Sequence, residues 1–345
     1  MAGPMGYRNY RGRTPKWKYV LAVVLVLVIL ASLAVIALQR HIVYDETGTP
    51  HLELPWQEQQ ERPEALGPVD ITIQAPERQE TVCAFTVPET PLTREGWDAV
   101  RAEYLQSDPA ACNAAAVTVK DSAGRVYFDS GTAVSGSVSM AEDTGAALAE
   151  LTGEESGVYA IARLSCFHDP EAANSDVDGM GLKNTGGYIF YDGNNSQWLD
   201  PGKPAARQYL CEIAVEAAAL GFDEILLTNV SYPTEGKLDK IDYGEAPQAE
   251  NLAAFLEELR AALEPYGAAL SIEVPAGVIT EGGSEAAGLV LTDIAPRVDR
   301  IYAETAPEQT GSLSAAVAAA GGSAVFVPEL ETRDPSVAGS CLLLK

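Results

Sequence analysis

The 345-residue sequence predicts an α/β chain whose folded part is a (β/α)8 TIM-like barrel behind an N-terminal transmembrane helix. Three observations predict it. Short β-rich runs alternate with Ala- and Leu-rich amphipathic segments, the pattern of repeated βα units around a parallel sheet. Eight such runs can be marked from Val69 onward. The region that holds them, 69–345, is about 275 residues long, close to the ~250 typical of such barrels.

The order begins with a basic tail, 1–18, carrying Arg8, Arg11, Arg13, Lys16 and Lys18 and no acid. The run YVLAVVLVLVILASLAVIAL from Tyr19 to Leu38 has no charge, Pro or Gly. Its 20 residues match the ~20 an α-helix needs to cross a bilayer core. With Asp45 and Glu46 following, the positive-inside rule places the N-terminus in the cytoplasm and the rest of the chain outside the cell. The rival is a cleavable signal peptide, whose apolar region is usually ~7–15 residues. Residues 39–68, rich in Glu, Gln and Pro, read as an extracytoplasmic stalk.

The strands expected in the barrel are TVCAFTV from Thr81, AAAVTVK from Ala114, GVYAIARL from Gly157 and DEILLTNV from Asp223. AALSIEV from Ala268, DRIYAE from Asp299, SAVFVP from Ser323 and SCLLLK from Ser340 follow. Helices are expected at about 93–107, 141–151, 203–220, 248–265, 284–296 and 311–320. Only 329–339, with Pro335 inside it, separates the last two strands, so an incomplete C-terminal end is allowed for. A doubly wound open sheet is the structural alternative, but no Gly-rich phosphate loop follows the first strand.

The formal net charge is −26, and the N-terminal tail is basic, so the remainder is more acidic still. Nucleic acid is thereby excluded as a partner. Cys83, Cys112, Cys166, Cys211 and Cys341 stand at wide spacings with no CxxC, which indicates neither a zinc site nor a small disulfide scaffold. An odd number cannot all pair internally, and no pairing is read. No cofactor motif is present, and with His41 and His51 in the stalk, His168 has no histidine partner for a metal centre.

Barrels of this kind build their sites from the C-terminal strand ends. Those ends carry Lys120 and Asp121, then Arg163, His168 and Asp169, then Thr228, Asn229, Ser231 and Tyr232, and finally Glu273, Glu304 and Glu329. His168 in FHDP has the chemistry of a general base, although Asp169-Pro170 equally marks a turn or helix start. Between Phe167 and Trp198 lie Tyr188, Phe190 and Tyr191 among Gly and Asn, suited either to sugar stacking or to a hairpin covering the barrel.

The order of these segments resembles the putative glycosyl hydrolase domain family of bacterial surface proteins. The phrases that carry it are VTVKDSAGRVYFDS (117–130), VYAIARLSCFHDP (158–170), WLDP (198–201), EAAALGFDEILLTNVSYP (216–233), LSIEV (270–274) and VDRIYAE (298–304). The resemblance implies a TIM-barrel relative of the glycoside hydrolases. Where the family's fourth strand ends in a phrase like FDYVRFP, this chain has LTNVSYP, so Thr228 and Ser231 stand in place of an Asp and an Arg. Glycosidases need two carboxyl groups, ~5–5.5 Å apart when retaining and ~6.5–9.5 Å when inverting. The acids left to supply a pair are Asp121, Glu273 and Glu304; Lys120, Arg163, His168, Tyr191, Asn229, Tyr232 and Tyr302 are the candidates for holding substrate. Solvated or ion-paired rim carboxylates are the plainer reading of the same acids.

The expectation is a membrane-anchored, extracytoplasmic, glycoside-hydrolase-like protein that acts on or binds cell-envelope or environmental glycan, with hydrolysis weakened or lost. The alternative is a non-catalytic module of the envelope that binds glycan or protein.

Overall fold

All eight expected strands are present and they form a closed ring. The structure, a computed structural model, describes Trp17 and residues 42–44, 50–52, 81–88, 90–106 and 112–344. The chain divides into two compact units, Met1–Ile73 and Gln74–Lys345. In the first, Ile42–Tyr44 pairs antiparallel with Pro50–Leu52, inside the segment expected to be a stalk. The expected anchor at 19–38 lies outside the described residues, as does the basic tail apart from Trp17. Among the described residues no helix is long and apolar enough to cross a membrane.

In the second unit the strands are β1 (Cys83–Thr86), β2 (Ala114–Lys120), β3 (Tyr159–Ser165), β4 (Glu224–Thr228), β5 (Ala269–Glu273), β6 (Arg300–Glu304), β7 (Val325–Leu330) and β8 (Cys341–Leu343). Each pairs in parallel with the next, and β8 returns to β1 with Cys341 beside Cys83. The open-sheet alternative is therefore not adopted, and the C-terminal end of the barrel is closed by a strand of three residues.

Period-two alternation sorts the side chains. Val82, Ala84, Ala114, Ala116, Ile161, Leu226, Tyr302, Val327 and Leu342 fill the interior. Their neighbours in sequence face outward and join the larger core beneath the helices. The same parity carries the next inward layer to Arg163, Thr228, Glu273, Glu304 and Glu329, at the C-terminal ends of five consecutive strands.

A recurrent device sets the strand starts. Asn113, Asp223 and Asp299, each just ahead of an even-numbered strand, accept the N–H of Cys83, Ala160 and Leu270 on the preceding strand, at 2.8, 2.8 and 3.0 Å. Ser340, ahead of β8, accepts from Val82 at 3.0 Å. Short polar acceptors there satisfy edge amides that the ladder has not yet reached.

The helices are α1 (Arg94–Val100), which continues as a π-helical turn to Gln106, α2 (Thr144–Thr152), α3 (Pro170–Ser175), α4 (Pro204–Ala219), α5 (Gln248–Leu263), α6 (Ala276–Glu281), α7 (Leu291–Ile294) and α8 (Thr310–Ala319). α5 buries Leu252, Phe255, Leu256, Leu259 and Leu263, the helical stripe legible in its sequence. α3 and α6 are too short for periodicity to reveal. The helix expected at 284–296 is instead a ribbon, Gly283–Ser284 with Leu289–Val290, then α7 and a 3-10 turn. Gly282 and Gly288 adopt φ of +79° and +71°, which break a helix there, and a Cβ on Gly288 would meet the Gln248 Cβ at 2.8 Å.

The floor of the barrel is polar. Glu224, at the start of β4, takes an ion pair from Arg300 at 2.6 Å and a hydrogen bond from the Tyr302 hydroxyl at 2.9 Å. Arg300 also donates to the Tyr159 hydroxyl at 3.0 Å. These four side chains satisfy one another inside the barrel, with Glu224 and Tyr302 fully buried.

Candidate active site

At the opposite end, a cleft of about 620 Å³ opens over β4 to β7. Its lining includes Trp198, Asn229, Ser231, Glu273, Pro275, Glu281, Glu304 and Glu329. Three acids of adjacent strands converge there. Glu304 is the register partner of Glu329 on the neighbouring strand, and Glu273 lies one strand further round, level with Tyr302.

Arg163 gathers two of them. Its Nη2 makes a direct ion pair with Glu273 and stands 3.9 Å from Glu329 Oε1. Two carboxyl groups gathered about one nitrogen are closer together than the ~9.5 Å upper limit for a hydrolytic pair. Their environments differ sharply. Glu273 is half-buried and charge-paired, whereas Glu329 is 2% exposed and its Oε1 has no hydrogen-bond partner. Burial, reinforced by the charges of Glu273 and Glu304 and opposed by Arg163, pushes the Glu329 carboxyl up to about 8. Burial thus favours the protonated form of Glu329, next to an acid, Glu273, that is ion-paired with Arg163. Such a difference in surroundings suits Glu329 to the part of proton donor.

The acid that sequence reasoning placed with Glu273 and Glu304 was Asp121, and the structure assigns it elsewhere. Asp121 Oδ1 accepts the N–H groups of Ala123 and Arg125, and Oδ2 accepts the Tyr127 hydroxyl at 2.7 Å. It braces its own turn and is not among the residues lining the cleft. Glu329 takes its place. The signal was parity: Val327 faces inward, so Glu329, two residues on, does too.

The expected substrate contacts divide in the same way. Arg163 is at the site as described. Asn229 lines the cleft in the left-handed region (φ +53°), a conformation uncommon outside glycine, and its amide donates to Ser165 Oγ at 3.0 Å. His168 stacks on Trp198, centroids 4.5 Å apart, with Nε2 2.8 Å from Ser196 Oγ. Burial holds its imidazole below the usual range. Trp198 Nε1 in turn donates to Asp192 at 2.9 Å, so His168 backs the indole that borders the cleft. Trp198 is an addition to the substrate-contact candidates that the sequence offers.

Lys120, Tyr232 and Tyr302 do not serve as ligand surfaces. Lys120 is 1% exposed and paired with Asp169 at 2.8 Å, and its Nζ also donates to the Ser165 carbonyl. Tyr232 is fully buried, accepts from Asn251 at 3.0 Å and packs edge-on to Tyr243. Tyr302 is fully buried in the barrel interior, where its hydroxyl binds Glu224. Tyr191 is exposed on a hairpin held by the Lys183–Ile189 bridge, beside the buried Phe190 and outside the cleft lining.

Residues 99–313 match the family described as "Putative glycosyl hydrolase domain". Among solved structures, the PgaB (BpsB) glycoside hydrolase domain from Bordetella bronchiseptica is similar with a TM-score of 0.53 and 15% identity, over 73% of this chain and 84% of that one. It shows the shared barrel fold. A hypothetical protein from Ruminiclostridium thermocellum aligns with 25% identity and a TM-score of 0.47 over 55% of this chain and 96% of its own. The "C-terminal domain of putative chitinase" from Desulfitobacterium hafniense aligns with 12% identity and a TM-score of 0.44, over 73% of this chain and 67% of that one. No curated protein matches.

Proposed function

Because the chain belongs to the putative glycosyl hydrolase domain family, we propose that it engages glycan in the cleft over β4 to β7, with Glu329 as general acid and Glu273 as its carboxylate partner. The observation that carries this reading is the pair of acids gathered about Arg163, Glu273 ion-paired with it and Glu329 buried 3.9 Å from it.

In this mechanism Glu329 protonates the glycosidic oxygen as the bond breaks, and the Glu273 carboxylate supports the positive charge that develops at the anomeric carbon. Trp198, at the cleft border, offers an aromatic face to a sugar ring. Turnover is slow in this reading. Arg163 draws charge from Glu273, and Thr228 and Ser231 leave β4 without the acid and cation that the family phrase carries there. The apolar run 19–38 and the basic tail before it support a membrane-tethered, extracytoplasmic setting, which suits envelope or environmental glycan.

The same ion pair and the same two replacements favour a second reading, a binding module of the envelope without hydrolysis. A panel of polysaccharides incubated with the full chain in detergent separates the two. Reducing-end release that disappears in Glu329→Gln and Glu273→Gln, with binding retained, supports the hydrolase. Binding without release in the wild-type chain supports the module. Neither binding nor release on any glycan overturns both.

A further inference from the structure

Three of the five cysteines meet at the seam of the barrel, far in sequence and close in space. Cys83 opens β1 and Cys341 opens β8, and the two are register partners on parallel neighbours. Strands so paired lie ~4.8 Å apart, inside the ~4.4–6.8 Å that Cα atoms of a disulfide span. Both side chains face outward into the core beneath the helices, and their sulfurs are 2.8 Å apart. Cys112, just ahead of β2, is buried in the same core and acts on the Cys83 thiol. Arg333 donates to Cys83 Sγ at 2.7 Å from the largely exposed loop 331–339.

We propose that Cys83 and Cys341 are joined by a disulfide that fastens the first strand of the barrel to the last, leaving Cys112 as a free thiol beside it. The oxidant is a small-molecule or protein disulfide. The Cys83 thiolate attacks one of its sulfurs and expels the first thiolate; the Cys341 thiolate then attacks the Cys83 sulfur and expels the second. The two protons lost by the cysteines end on the two thiols released, and the oxidant takes up the electron pair.

The surroundings favour Cys83 as the attacking group. Hydrogen bonds from Cys112 and Cys341, together with the Arg333 charge, hold its thiol well below the usual range against the opposing effect of burial. The hydrogen bond to Cys83 and burial push Cys112 and Cys341 up. The guanidinium on Cys83 is also the wrong neighbour for a metal cation. This inference is independent of the reading of the cleft.

The test counts thiols in the full chain, first reduced and then equilibrated with oxidised glutathione, by alkylation after denaturation and mass measurement. The wild type should take three adducts before reduction and five after; Cys112→Ser should take two and then four. Peptide mapping should join the Cys83 peptide to that of Cys341. The Tm of wild type and Cys112→Ser should fall on reduction, and that of Cys341→Ala should not respond. Five adducts in the unreduced wild type, a Cys83–Cys112 link, or a reductant-sensitive Tm in Cys341→Ala would overturn the proposal.

Discussion

Glu329 shows how far a single buried position can move carboxyl chemistry. Unfolded, it titrates near the ordinary 4.5; folded, near 8. Between those values the folded chain holds a proton that the unfolded chain has released, so this group's contribution is greatest at the acid end and is lost as pH rises toward 8. Glu329→Gln should therefore gain stability over wild type at alkaline pH, on the order of 2–4 kcal/mol, and lose that advantage near pH ~4. Chemical denaturation across pH measures this, and a variant that tracks the wild type at every pH would contradict it. If the cleft hydrolyses glycan, the wild-type rate should fall above pH ~8 as the acid form is lost. The sequence displayed Glu273, Glu304 and Glu329 as strand-end acids, and alternation was enough to turn them inward. It did not display which would be buried. That depends on packing across three strands and on Arg163, 110 residues away from Glu273. Asp121 misled for the converse reason: a short acid two residues ahead of Ala123 folds back on its own amides.

Among the elements, α3 shows what a short helix can depend on. Asp169 caps it by accepting from Ala172 at 2.8 Å, and the other oxygen of the same carboxylate neutralises Lys120 at 2.8 Å, with both side chains sealed from solvent. Asp169→Ala removes the cap and leaves a buried cation without its counter-charge. The expected loss is about 3–5 kcal/mol, most of it recovered in the Asp169→Ala, Lys120→Met pair. Urea unfolding of the single and double variants checks this, and equal losses in the two would show that the cap alone matters. Strands were more legible than helices. Eight β-rich runs needed only local pattern, whereas α3 and α6 have six residues each, too few for a 3.6 period to appear. The glycines that break the expected helix at 284–296 were visible, but their left-handed geometry was not.

Over the whole molecule, charge and closure act on different scales. A chain of net charge −26 repels itself in the compact state, and added salt screens that repulsion more than it weakens short buried pairs such as Arg300–Glu224. Its Tm should rise between low ionic strength and ~0.15 M. A scan in which it falls would mean that attractive pairs dominate the balance. Closure, left open by the sequence because only 329–339 separates the last two strands, turned on the three residues of β8 pairing with both β7 and β1.

That strand has a further consequence for the order in which the molecule can be made. β1 is among the first barrel segments synthesised, yet one of its edges must wait for residues 341–343. A nascent chain stalled before that point exposes bare edges on both β1 and β7, the kind of surface that recruits other strands. Glu329 sits on one of those waiting strands, so the mouth of the barrel is completed only once residues 341–343 have been made.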